Sequence, residues 1–298
     1  MQDHPLITTT LRILPPANFN FRRTVRSHGW YDLPPFSHNA GDHTLKRLLR
    51  LSGGTLAGCR LSSGGSVIRV HAASRVPLTA AQRLEIVAQL RSCLRLDEDF
   101  SAFHAAARRD PATRWIARSG AGRLLRSPTV FEDLVKMICT TNCTWNLTRI
   151  MVSRIVERFG EPFGDGRSAF PTPAALAAAT EQELRTHCTA GYRSPYIADL
   201  ARNVASGALA VEEWRTGTMP TEDLFRVLRT VKGVGPYAAG NVLKLLGRYE
   251  YLGLDSWVRG RYAELHTKGR TVKDATIERA YARYGRWRGL FFWLEMTR

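Results

Sequence analysis

The first residue with a chemical role to explain is Asp255, which lies twenty residues after Gly235 and directly before Ser-Trp-Val-Arg. An Asp in this position commonly caps the following helix, because its side chain accepts a hydrogen bond from a free backbone N–H. The alternative is a carboxylate aimed at a positive charge that develops during a reaction, as at a sugar carbon when a glycosidic bond breaks. In a dry pocket such a carboxylate stabilises the cation strongly. The sequence leaves both roles open.

A glycine turn between two predicted helices comes before this Asp, in the stretch Val-Lys-Gly-Val-Gly-Pro-Tyr. Glycine permits positive φ and lets a ligand approach the backbone closely. Pro236 suits the first position of the second helix. The N–H groups at the start of that helix would bind an anion such as a phosphate, although a turn that only ends a helix explains the glycines equally well. The predicted phosphate-binding residues are Lys232, Gly233, Val234, Gly235 and Tyr237.

Composition indicates a partner of opposite charge. The 298 residues include 43 Lys and Arg against 26 Asp and Glu, a net charge of +17. Such an excess favours nucleic acid as the partner, and a generally basic proteome is the alternative explanation. The absence of a signal sequence, of an apolar run of about 18 residues and of paired cysteines predicts a cytoplasmic protein without a membrane span.

The elements that must position these residues predict an α+β fold. Gly-Gly pairs separate short Leu-, Val- and Ile-rich runs before residue 78, which is typical of antiparallel strands joined by tight turns. Thr79 and Gln82 match a capping box that opens a helix, as do Thr180 and Glu183. From about residue 100 nearly every segment has helical periodicity. We therefore predict a sheet-and-helix domain over residues 1–100 and a helical domain over residues 101–298, which carries the turn and Asp255.

Turn, helix and Asp together resemble the helix-hairpin-helix (HhH-GPD) DNA glycosylases, in particular the alkyladenine and 8-oxoguanine branches. Their Leu-x-x-x-x-Gly-Val-Gly-Pro turn and catalytic Asp correspond here to Leu228, residues 233–236 and Asp255. The resemblance covers most of residues 40–298. It implies a cleft that binds double-stranded DNA, a hairpin that holds a backbone phosphate, and Asp255 as the catalytic carboxylate beside a base flipped out of the duplex. It also implies a monovalent cation at the hairpin backbone, with no other cofactor and no metal held by side chains.

The chain departs from the family pattern at three places. Tyr237 stands where relatives that also cleave the strand carry a nucleophilic Lys, so we expect hydrolysis by water without lyase activity. No Cys follows Cys188, so no iron–sulfur cluster is expected. Asn142 is followed by Cys-Thr-Trp rather than the residues of the 8-oxoguanine branch, so that specificity is not implied. An alkylated purine is the first candidate base, and an oxidised purine or a modified pyrimidine stays open.

Two further groups of side chains are candidates for contact with DNA. The candidates for the walls of a base pocket are Trp30, Tyr31, Tyr237, Asn241 and Trp257, each of which could instead belong to the core. The candidates for a wedge that fills the gap in the duplex or contacts the opposite base are Asn142, Tyr192 and Arg193, which could instead lie in solvated loops.

The sequence therefore predicts a monomeric, monofunctional DNA glycosylase that acts on a damaged or modified base in duplex DNA. The alternative is a helix-hairpin-helix protein that binds DNA or senses lesions without catalysis. In that case Asp255 would be a helix cap only.

Overall fold

The computed structural model describes residues 6–164 and 166–298. In these residues five antiparallel strands form one sheet in the order β1-β5-β4-β3-β2. The strands are β1 (Ile7–Ile13), β2 (Phe36–Asn39), β3 (Thr44–Arg50), β4 (Leu56–Gly64) and β5 (Val67–Ser74). Gly65, in the tight turn between β4 and β5, has a φ of 71°, a conformation that glycine adopts without strain. The predicted antiparallel strands are confirmed.

Fourteen α-helices follow or interrupt the sheet in the described residues. The first seven are α1 (Phe21–Val25), α2 (Ala80–Leu94), α3 (Ser101–Arg109), α4 (Arg114–Arg118), α5 (Val130–Thr140), α6 (Trp145–Phe159) and α7 (Pro173–Ala177). The others are α8 (Glu181–Thr186), α9 (Ser194–Ala205), α10 (Thr221–Thr230), α11 (Pro236–Leu245), α12 (Ser256–His266), α13 (Asp274–Ala282) and α14 (Arg288–Met296). The α+β class is therefore confirmed.

Local sequence explains where several helices begin. The Thr79 hydroxyl accepts a hydrogen bond from the Gln82 N–H at 3.1 Å, and Gln82 Oε1 accepts one from the Thr79 N–H at 3.1 Å, so the predicted capping box opens α2. The Thr180–Glu183 box opens α8 in the same way. These side chains satisfy backbone donors that a helix end leaves without partners.

The sheet and the helical body share one hydrophobic core. Leu45 and Val70 of the sheet belong to the same buried cluster as Leu134 of α5 and Leu243 of α11. A second cluster joins α3 and α4 to the last three helices, with Phe103, Tyr262 and Phe291 among its members. The predicted boundary at residue 100 therefore runs through a continuous core, and the division into two domains stays a prediction. None of the helices in the described part of the chain is long and apolar enough to cross a bilayer.

Candidate active site

The glycine hairpin joins α10 to α11. The Val234 N–H donates to the Val231 carbonyl at 3.0 Å, and the Val234 side chain is buried. Gly233 has a φ of 83°, and a Cβ atom there would lie 2.8 Å from the Tyr196 ring. This position therefore requires glycine both for its backbone conformation and for the close approach of Tyr196.

The other end of the turn is open to solvent. Gly235 is the N-cap of α11 and Pro236 its first residue, and both are exposed. The first N–H groups of a helix have no partner within the helix, so they are available to an anion. Lys232 is exposed beside them, with its Nζ 3.5 Å from Asp199. The predicted monovalent cation would bind the turn's backbone carbonyl oxygens, a type of donor that hard cations prefer, and it stays a prediction.

Asp255 caps α12 and also lines a cavity. One of its carboxylate oxygens, Oδ1, accepts a hydrogen bond from the Val258 N–H at 2.8 Å. The residue is half-buried and faces Tyr237 of α11. Burial, together with the charge of Asp255, raises the pKa of the Tyr237 phenol to about 12. The two roles that the sequence left open are therefore compatible in one residue.

The cavity has a volume of about 600 Å³, a size typical of sites for small organic ligands. Six aromatic side chains contribute to its walls. The aromatic side chains that line it are Trp30, Tyr31, Trp145, Tyr237, Trp257 and Trp293. All five residues predicted to form a base pocket, Asn241 included, line this one cavity together with Asp255.

The predicted wall residues differ in how firmly they are held. Trp30 is buried, and its indole Nε1 donates to Asp133 Oδ1 at 2.7 Å. Trp257 is 54% exposed at the rim, with its ring centroid 6.3 Å from that of Trp293. Trp30 is thus a fixed inner wall, whereas Trp257 is accessible from solvent.

Asn241 and Lys244 are two polar residues of the cavity lining that contact each other. Asn241 Nδ2 donates to the Tyr237 carbonyl at 3.0 Å, and Asn241 Oδ1 accepts from Lys244 Nζ at 3.0 Å. Lys244 Nζ also donates to the Leu252 carbonyl at 2.5 Å. Burial lowers the pKa of Lys244 to about 7, and the charge of Asp255 opposes that shift.

Two of the three wedge candidates lie together on the surface. Asn142 has a φ of 47° just after α5, and its Nδ2 lies 3.4 Å from the Tyr192 hydroxyl. The Tyr192 side chain is 46% exposed. Arg193 does not fit the predicted role, because it is buried and its guanidinium donates to the Thr141 carbonyl. Its charge holds the end of α5 in place instead.

Several cavity residues were not predicted. His28 contacts Trp30 edge-on, and its Nε2 lies 2.5 Å from the Leu125 carbonyl; burial lowers its pKa to about 4, so the ring is neutral at physiological pH. Trp145 packs against Gly29, where a Cβ atom would lie 2.3 Å from the indole. Trp293 Nε1 donates to the Ser27 carbonyl at 2.9 Å. The mixture of basic and aromatic residues around Trp30 was the available signal for His28, and no comparable signal marked Lys244 or Trp293.

Among the described residues, no group of three or more His, Cys, Asp or Glu side chains is placed to hold a metal ion. The described cysteines are free thiols, and burial raises the pKa of Cys59 and of Cys139 to about 12. These two thiols therefore serve packing.

The fold and the hairpin define a class of protein, and comparison with known proteins agrees. Residues 135–290 match the family described as HhH-GPD superfamily base excision DNA repair protein, and the chain belongs to this family. It is 29% identical over 175 residues to the DNA-3-methyladenine glycosylase of Bacillus subtilis (strain 168), a match that covers 56% of this chain and 56% of that protein. The chain thus spans little more than half the length of this relative.

Two solved structures show the same fold over nearly the whole chain. The 3-methyladenine DNA-glycosylase of Archaeoglobus fulgidus is similar with a TM-score of 0.76, 21% identity and coverage of 96% of this chain and 97% of that one. The 8-oxoguanine glycosylase/lyase of Clostridium acetobutylicum, solved with double-stranded DNA, is similar with a TM-score of 0.70, 19% identity and coverage of 100% and 98%.

Proposed function

We propose that the protein is a monofunctional DNA glycosylase, which flips a damaged or modified base out of duplex DNA and hydrolyses its N-glycosidic bond. The observation that carries the proposal is Asp255 at the edge of an aromatic cavity large enough for a base. Membership of a base excision repair family supports the DNA substrate. The net charge of +17 favours contact with the phosphate backbone.

Each part of the site has a place in this reaction. The exposed N-terminus of α11 and Lys232 would bind a phosphate, with a monovalent cation on the turn's carbonyl oxygens. Tyr192 and Asn142 would fill the space that the flipped nucleotide leaves, which offsets part of an unstacking cost on the order of a few kcal/mol. The base would stack on Trp30 and Tyr237 in the cavity.

Asp255 would stabilise the positive charge on the sugar as the bond breaks and orient the attacking water. No Schiff base is proposed at the hairpin, because Tyr237 occupies the position where glycosylase/lyases of this family carry their Lys. The product would be an intact strand with an abasic site. We propose that one monomer carries out the whole reaction.

The test is incubation with duplexes that each contain one modified base, with the released base identified by mass spectrometry. Wild-type protein should release a base and leave a strand that breaks only after alkali treatment. Asp255→Asn should abolish release and keep its affinity for a duplex with a tetrahydrofuran abasic analogue. Full activity in that variant would refute the role of Asp255, and breakage without alkali would refute the monofunctional mechanism.

The alternative is a protein that binds DNA without catalysis, which the capping role of Asp255 favours. It predicts that no duplex yields a free base, although modified duplexes bind.

A further inference from the structure

Lys244 is a buried cation at the inner end of the cavity. It lies on α11 seven residues after Tyr237 and is 2% exposed, and a spacing of seven puts both residues on one face of the helix. An ammonium group has three N–H donors. The Asn241 side chain and the Leu252 carbonyl accept two of them. The third N–H has no acceptor among the described residues and is available to a ligand.

Lys244 and Asp255 are opposite charges that line the same cavity and so form a dipole. Asp255, from the loop before α12, is the acidic group of the lining, and its charge raises the Lys244 pKa against the effect of burial. His28 from the N-terminal segment is neutral because burial lowers its pKa to about 4. Tyr237 keeps its proton because burial and Asp255 raise its pKa to about 12. Arg26 lies at the exposed rim, and α5 and α14 contribute Thr140, Trp293 and other side chains without charge.

A base that leaves the sugar can be either uncharged or cationic before the bond breaks. This dipole suits the departure of the uncharged kind. When the bond between the sugar carbon and the nitrogen of an uncharged base breaks, the electron pair stays on the base, which becomes negative while the sugar becomes positive. Water then adds to the sugar carbon, and its proton neutralises the base. An N-alkylated cationic purine instead leaves as a neutral molecule, so a cation at the inner end of the cavity gives it no assistance and repels it before the bond breaks.

We propose that Lys244 is a specificity-determining residue, which donates a hydrogen bond to the leaving base and makes uncharged damaged or modified bases better substrates than cationic alkylated purines. The proposal rests on the glycosylase function proposed above. A positive donor placed where negative charge develops stabilises the transition state more than the bound substrate. Because Lys244 approaches the base and Asp255 the sugar, removal of each should have a different consequence.

The test compares single-turnover release from duplexes that contain hypoxanthine, 8-oxoguanine or 5-hydroxymethyluracil with release from a duplex that contains 7-methylguanine. Wild-type protein should release at least one of the three uncharged bases faster than the cationic one. Lys244→Met should slow release of that base by about a hundredfold and leave release of 7-methylguanine unchanged or faster. Lys244→Gln, which keeps an N–H donor but no charge, should be intermediate.

The pH profile needs no variant, so it tests the proposal even where a substitution prevents folding. Wild-type release of an uncharged base should fall as pH rises through about 7, because Lys244 then loses its proton. Lys136→Met is the matched control, since Lys136 is a buried lysine that lies outside the cavity lining, and this variant should keep the falling limb. Lys244→Met should lose it.

Several results would overturn the proposal and leave the glycosylase function standing. They are a faster release of 7-methylguanine than of every uncharged base, an equal loss for both classes in Lys244→Met, or a pH profile without the falling limb. A borohydride-trapped adduct with DNA that disappears in Lys244→Met would also overturn it, because Lys244 would then be a nucleophile. If no duplex yields a base while Asp255→Asn and wild type bind DNA equally, the glycosylase function itself fails, and this inference fails with it.

Discussion

Two buried lysines, on α5 and α11, have opposite surroundings. Lys136 Nζ lies 2.7 Å from Glu132 Oε1, and the same carboxylate receives two hydrogen bonds from Arg47 at 2.7 and 2.6 Å. Lys244 has an amide oxygen and a carbonyl oxygen as its acceptors, at 3.0 and 2.5 Å. Arg47 of β3 and Glu132 and Lys136 of α5 form a cluster, the α5 cluster, which joins the sheet to the helical body. Lys244 instead lies at the cavity.

The difference shows how a buried charge that stabilises the fold can be distinguished from a buried charge that belongs to a functional site. Burial acts to raise the pKa of Glu132, but Arg47 and Lys136 outweigh it and hold the pKa at about 2. Glu132 is therefore charged at every physiological pH. Burial also lowers the pKa of Lys136, but there the adjacent Glu132 carboxylate opposes the shift. Lys244 has no compensating carboxylate in direct contact among the described residues, and its pKa of about 7 leaves its charge sensitive to conditions. Perturbed groups of the second kind are concentrated at functional sites.

The largest effect on stability should follow removal of the carboxylate that compensates the α5 cluster. Glu132→Ala leaves the buried cations Arg47 and Lys136 without the carboxylate they share, and we expect a loss of about 3–5 kcal/mol in the free energy of unfolding. Urea denaturation measures it. Glu157→Ala, on the exposed face of α6, is the control and should change stability by less than about 0.5 kcal/mol. Equal losses in the two variants would show that the cluster has no special role.

A second prediction concerns the pH dependence of stability that Lys244 contributes. Its pKa falls from 10.5 to about 7 on folding. Between these values the unfolded chain holds a proton that the folded chain lacks, so stability rises with pH. Below about 7 the folded state carries the full cost of the buried charge. Lys244→Met should reduce the rise between about pH 7 and pH 10 by a few kcal/mol, as urea midpoints across this range would show; an unchanged slope would contradict the expectation.

The smallest effect on stability should come from substitution of Asp255, which both caps α12 and lines the cavity. Asp255→Ala removes the cap of α12 and should cost about 1 kcal/mol, whereas Asp255→Asn keeps a capping side chain and should cost much less. Thermal unfolding distinguishes the two variants, and both should lack base release. A stability gain in Asp255→Ala would mean that the cap is outweighed by strain on a half-buried carboxylate.

Much of the architecture was predictable because its signals are local. Thr79 and Gln82 lie three residues apart, and the capping box they form needs only the first turn of α2. Pro236 begins α11 and Asp255 caps α12 for equally local reasons. The α+β class followed from the change in periodicity near residue 100.

The site was predictable only in part. The five predicted wall residues line one cavity. Helical spacing indicated that Tyr237 and Asn241 share a face, and the mixture of basic and aromatic residues singled out Trp30 and Tyr31. Arg193 was misjudged, since its position in a loop gave no sign that its guanidinium is buried against Thr141. Whether Asn142 and Tyr192 enter DNA, and whether a cation binds the hairpin, stay predictions.

Turns and helix caps depend on residues that are close together in the sequence. The sequence alone therefore determines the hairpin, the caps and the number of residues between Gly235 and Asp255. The cavity has a different origin. His28, Trp145, Lys244 and Trp293 come from four distant segments, and their meeting in one cavity depends on how those segments pack. Only the tertiary structure decides that Lys244 is dry while Lys232, on the same hairpin, is exposed, because desolvation is a property of the surroundings and not of the residue.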